Sequence, residues 1–167
     1  MIGTGKITET KELRESLKNK LPTDAQFEQA FSTARVSKAY LARYYLRALD
    51  KTITDNPTPE FVANEDYEAA NLEHIIPVKP SAAWKISEED ASNAQQMIGN
   101  LRLLSTKKNV IIGNDSFAEE LKVYKDSGYS ITNQLEKYGT EFGIEQVKER
   151  QAELAMLAPK TWSFKFD

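Results

Sequence analysis

Leu72-Glu73-His74-Ile75-Ile76-Pro77-Val78 and, further on, Ile98-Gly99-Asn100-Leu101-Arg102-Leu103-Leu104-Ser105 are the two stretches that decide the fold. The first is short, apolar at both ends and stopped by proline, which reads as a strand. The second begins with a Gly99-Asn100 break and continues as a partly alternating run, a second short strand. Outward from this pair the patterns are helical. Thr23-Asp24-Ala25-Gln26 has the spacing of a capping box and opens a helix through Phe27, Ala30 and Phe31. Leu41, Ala42, Tyr45, Leu46, Leu49 and Ile53 recur at helical spacing over about Ser37 to Ile53, and Asp55-Asn56-Pro57 ends that helix. Tyr40, Tyr44 and Tyr45 on it suit core packing, with base stacking the competing use of such rings.

Between the strands, Ser87-Glu88-Glu89-Asp90 caps a helix running to about Met97. Beyond the second strand, helices are predicted at about Thr106–Ile111, Ser116–Lys125 and Ile131–Tyr138. A last one starts at Ile144, carries Val147, Leu154 and Ala158 on one face, and is closed by Pro159. Trp162 and Phe164 then fold back on the body. The first 20 residues read as a short polar helix or arm. The fold class is therefore mainly α with a small β-hairpin. Residues 1–65 read as a helical N-terminal subregion packing on a core formed by residues 66–167.

The 167 residues, 40% apolar and 28% charged, suffice for a self-supporting core. The absence of cysteine excludes a disulfide framework, a cysteine metal site and a cysteine nucleophile. No apolar run is long enough to cross a membrane, and Met1-Ile2-Gly3-Thr4-Gly5-Lys6 lacks the apolar core of a signal peptide; a cytoplasmic protein is expected. A net charge of −3 excludes a strongly basic nucleic-acid coat but leaves room for a local basic site.

The single histidine, His74, follows Glu73, and Asn100 and Asn109 come after. Together these residue types suit phosphodiester hydrolysis. An imidazole near its ordinary pKa of about 6.5 can take a proton from water at neutral pH. Carboxylate and carboxamide oxygens suit a hard cation, Mg²⁺ or Mn²⁺, with water and phosphate completing its shell. The same residues also admit a structural histidine and ordinary Asn-Gly turn chemistry. On a regular strand Glu73 and His74 point to opposite faces, so they share a site only if the strand ends or twists there.

Glu73-His74-Ile75-Ile76-Pro77, Ile98-Gly99-Asn100-Leu101-Arg102-Leu103-Leu104, Lys108-Asn109 and Asn114-Asp115-Ser116-Phe117 together resemble the HNH (His-Me finger) nuclease signature. More narrowly, they resemble the C-terminal nuclease domain of GmrSD-type modification-dependent restriction endonucleases. Glu149-Arg150-Gln151 and Lys160-Thr161-Trp162 are similar to that family's closing helix, and Leu21-Pro22-Thr23-Asp24 with Phe27 to its leading segment. The motif order is also similar to the HNH domain of RNA-guided CRISPR nucleases. The resemblance implies a ββα-metal core embedded in a helical domain. It implies a DNA endonuclease that nicks in anti-phage defence, with His74 as general base. It further implies Glu73 and Asn109 as metal ligands and Asn100 as the residue that ties the hairpin and orients the histidine. Asn114 is a further candidate for the site.

Arg102, Lys107 and Lys108 bracket the motif and are candidate phosphate contacts in a segment, 100–127, that holds 5 basic and 4 acidic residues. Glu119-Glu120 departs from the family, which places a lysine soon after its Asn-x-x-Phe, and sets negative charge beside the expected phosphate path. A ParB-like nucleotide-hydrolysing domain usually precedes such a nuclease, and none of its phosphate-binding pattern occurs here. Such a domain or subunit is expected as a partner. A homodimer would allow double-strand breaks. The competing functions are a catalytically silent binding module and an RNase or toxin nuclease.

Overall fold

The computed structural model describes residues 9–18, 20–55, 71–104, 116–125 and 127–163. Helix α1 (Thr10–Lys18) is polar and contributes no buried residue. Helix α2 (Asp24–Ser32) opens on the expected capping box, in which the Thr23 hydroxyl accepts from the Gln26 N–H and the Gln26 side chain accepts from the Thr23 N–H. Helix α3 (Ala39–Ile53) buries Ala42, Leu46 and Leu49 on one stripe. Two short strands, β1 (Asn71–His74) and β2 (Leu101–Leu104), pair antiparallel with His74 opposite Leu101 and Glu73 opposite Arg102. Helix α4 (Glu88–Ala94) lies in the connection between them and is capped by the Ser87 hydroxyl. After β2 come α5 (Phe117–Tyr124), α6 (Ser130–Asn133), which tightens into a 3₁₀ turn over Gln134–Tyr138, and the long α7 (Ile144–Thr161). Among the described residues the chain is thus mostly helical with one small two-stranded sheet, as its patterns predict.

The sheet lies between two apolar clusters. One joins Phe31, Leu46 and Leu49 to Leu101, Leu103 and Leu154, so it draws on both ends of the chain. An aromatic group of Phe27, Tyr44, Tyr45 and Trp162 packs at its rim, with the Trp162 indole N–H donating to the Tyr44 hydroxyl at 2.9 Å. The other cluster joins Ile75, Ile76 and Leu104 to Trp84, Phe117, Tyr124 and Phe142. Leu103 and Leu104, neighbours on one strand, face opposite clusters, as strand alternation requires. All four residues of β2 are therefore buried.

Three boundaries differ from the sequence reading. Strand β1 ends at His74, because after one more ladder bond, from Ile75 to Asn100, the Ile76 peptide is captured by the Asn100 side chain. Helix α4 stops at Ala94, and Gln96 and Met97 turn away to meet the Arg35–Val36 segment. Helix α7 is not closed by Pro159; it continues to Thr161. A proline costs one helical hydrogen bond, and here the buried contacts of Ala158 and Thr161 hold the last turn. The helix expected at Thr106–Ile111, and Phe164, fall outside the described residues.

Candidate functional site

Glu73 and His74 stand at the free end of β1, both half-buried. Both lie within the paired strand, so alternation sets Glu73 on the face of Arg102 and His74 on the face of Leu101. The Ile75 N–H still donates to the Asn100 carbonyl at 2.8 Å, the last rung of the ladder. Beyond it the Asn100 side chain takes over. Its Oδ1 accepts from the Ile76 N–H at 2.8 Å and its Nδ2 donates to the Ile76 carbonyl at 3.3 Å. One fully buried carboxamide thus holds both polar groups of a residue just after His74.

The His74 ring is fixed from the other side. Its Nε2 lies 3.1 Å from the Gln95 carbonyl at the C-terminal end of α4. A carbonyl only accepts, so Nε2 carries the proton and Nδ1 of the neutral ring carries the lone pair.

Asn100 is itself anchored by α7. Gly99 packs so closely on that helix that a Cβ there would sit 2.1 Å from the Val147 carbonyl oxygen, a place only glycine can occupy. The Gly99 N–H donates to Gln151 Oε1 at 2.6 Å, and Gln151 Nε2 donates onward to the Phe31 and Ala34 carbonyls at 3.0 and 3.2 Å. Arg150 Nη1 donates to the carbonyls of Gly99 and Leu101, each at 2.8 Å, and to that of Ile98 at 3.2 Å. Its burial lowers its pKa to about 10, which still leaves it charged at neutral pH. The Thr132 hydroxyl brackets Leu103, donating to its carbonyl at 2.8 Å and accepting from its N–H at 3.3 Å.

Glu73, His74 and Asn100 thus lie at the same end of the hairpin, with Glu73 and His74 on opposite faces of β1. Lys107, Lys108, Asn109 and Asn114 lie outside the described residues. Arg102 needs a correction. It is only 3% exposed, and its Nη1 donates to Glu120 Oε2 at 2.9 Å, with the Tyr124 hydroxyl in the same cluster. A guanidinium enclosed in this way does not reach a DNA phosphate. Glu120, equally buried, is its counter-charge and not a surface acid, while Glu119 pairs with Lys122 at the surface. Among the described residues there is no group of three or more His, Asp or Glu side chains placed to hold a metal by themselves.

The sequence reading did not assign roles to Gln95, Gln151 or Thr132, and carried Arg150 only as part of a motif. A signal existed for Arg150 and Gln151. They stand three and four residues after Val147 and four and three before Leu154, which places both polar side chains on the buried face of α7. For the Gln95 carbonyl there was none, since every residue has one.

The family model described as GmrSD restriction endonucleases, C-terminal domain, matches residues 21–157. The chain belongs to this family. Among curated proteins and solved structures no match to it is found. The matched span runs from the entry to α2 to the penultimate turn of α7, so it takes in the hairpin, the Gln95 carbonyl and both anchoring residues of the closing helix. Membership of this family implies a restriction endonuclease.

Proposed function

We propose that this GmrSD C-terminal domain is a metal-dependent DNA endonuclease of the HNH type that nicks one strand per event, with His74 Nδ1 as general base. The observation that carries this reading is the bond from His74 Nε2 to the Gln95 carbonyl, 3.1 Å, which turns the basic nitrogen away from the protein's own acceptor. A water at Nδ1 would lose its proton there and attack phosphorus. The Gln95 carbonyl would then stabilise the imidazolium that forms. Asn100 acts as a positioning residue, since its carboxamide is fully engaged on Ile76 and has nothing left for substrate.

Glu73 and Asn109 are the oxygen donors assigned to a hard divalent cation, Mg²⁺ or Mn²⁺. What supports this is that Glu73 offers a half-buried carboxylate, and such ions use few protein oxygens and complete their shell with water and phosphate. When bound, the cation would offset charge developing on the phosphate and on the leaving 3′-oxygen. Lys107 and Lys108 remain the assigned phosphate contacts, with Asn114 supporting the site. The reading includes a cytoplasmic protein, residues 1–65 packing on the core of 66–167, and a ParB-like partner domain or subunit. A homodimer would convert nicks into double-strand breaks.

The test is cleavage of supercoiled plasmid with Mg²⁺ or Mn²⁺, beside EDTA and a His74→Ala control. Nicking that needs metal and vanishes in the control is expected. A folded chain that cuts nothing, alone or with a ParB-like partner supplied, would turn the assignment to a binding module. Preferential cutting of RNA would move it to a ribonuclease.

A further inference from the structure

The Arg102–Glu120–Tyr124 cluster has no part in the reading above, yet it lies directly behind the assigned metal ligand. Arg102 is opposite Glu73 in the antiparallel ladder, and opposed residues project to one face with Cβ atoms about 4.5–5.5 Å apart. Arg102 and Glu120 are each 3% exposed, so their charges are poorly screened by water. Nη1 of Arg102 is spent on Glu120, while its Nε is sealed from solvent and has no hydrogen-bond partner. The Tyr124 hydroxyl is bonded to the same Glu120 oxygen and lies at Nη1. A lone guanidinium on this face would oppose a second cation at Glu73. Glu120 on the far side of Arg102 balances it.

We propose that Arg102 and Glu120 form a charge-setting pair that acts through Glu73, with Glu120 neutralising Arg102 so that the guanidinium does not oppose a divalent cation held at Glu73. The inference rests on Glu73 being a metal ligand. It also gives the Glu119-Glu120 departure a use: Glu120 is the inner partner of an arginine, not a barrier to phosphate.

The two halves of the pair make opposite predictions. Glu120→Gln leaves the arginine uncompensated and should weaken Mn²⁺ binding on the order of tenfold. Arg102→Gln leaves an extra buried negative charge and should hold Mn²⁺ at least as tightly as the parent chain. Arg102→Gln with Glu120→Gln restores the balance and should return the affinity to within about threefold of the parent. A purely structural pair would weaken binding in both single variants. The measurement is free Mn²⁺ by electron paramagnetic resonance on the full chain, with circular dichroism confirming the fold. Equal affinity in the parent and a folded Glu120→Gln overturns the proposal, as does weakening in a folded Arg102→Gln. Should the single variants fail to fold, the double variant decides: an affinity more than about tenfold below the parent overturns the proposal. Glu73→Gln separates the two claims. If it binds Mn²⁺ like the parent, or the parent binds none, the metal site itself is refuted and the pair's role with it. If Glu73→Gln loses Mn²⁺ but the pair variants do not move it, only the pair's role fails.

Discussion

The two strands of the hairpin are equal in length and opposite in treatment. Every residue of β1 is half-buried, and it ends at its most reactive side chain. Every residue of β2 is buried, and its carbonyls and amides are held by Arg150 and Thr132 as well as by β1. The position of the Glu73–His74 strand end thus depends on geometry stored in the other strand. Asn100, at the head of β2, transmits that geometry across to Ile76 through a single side chain.

This division can be broken from either side, with different readouts. His74→Ala should lower plasmid nicking by about 10²–10⁴-fold, the usual weight of a general base, while leaving the thermal midpoint nearly unchanged. Gly99→Ala should do the reverse first. A methyl 2.1 Å from the Val147 carbonyl forces α7 and β2 apart, costing about 3 kcal/mol in a urea melt. Asn100→Ala should cost about 2 kcal/mol by stranding the Ile76 peptide, and its nicking rate should fall further than its stability explains. Thr132→Val should cost about 1 kcal/mol with little change in rate, because it frees only the outer edge of β2.

The smallest effect is one of pH. Burial pushes the Tyr124 hydroxyl above its ordinary value of 10.0. Its pKa is raised on folding, so its contribution to stability is complete below pH 10 and declines as pH rises past it, where only the unfolded chain ionises. Absorbance at the tyrosinate band should show Tyr124 among the tyrosines that titrate late, ionising only as the chain unfolds.

The helices were legible because their signals are local. The Thr23 capping box, the α3 stripe and the Ser87 cap need nothing beyond their own segments. Glu73 and His74 stand out as candidates through motif and residue chemistry. Arg102 was misread for a definable reason. It alternates with Leu101 and Leu103, which is the pattern of a strand with one wet face. The face it occupies is covered by a second cluster containing Tyr124 and Leu104, and nothing within β2 announces that cover. The stop of β1 at His74 comes earlier than the run to Pro77 suggests. Its cause, a carboxamide 24 residues away in sequence, is a tertiary contact that no local pattern records.

Gln151 ties Gly99 to the Phe31 and Ala34 carbonyls, across separations of 52, 120 and 117 residues. A ribosome making this chain has synthesised the hairpin long before it delivers residue 151. Until then the Asn100 loop has no helix to rest on, and the clamp that Asn100 sets on Ile76 lacks its support from α7. A transcript broken before α7 would therefore yield a polypeptide that carries the motif without its geometry.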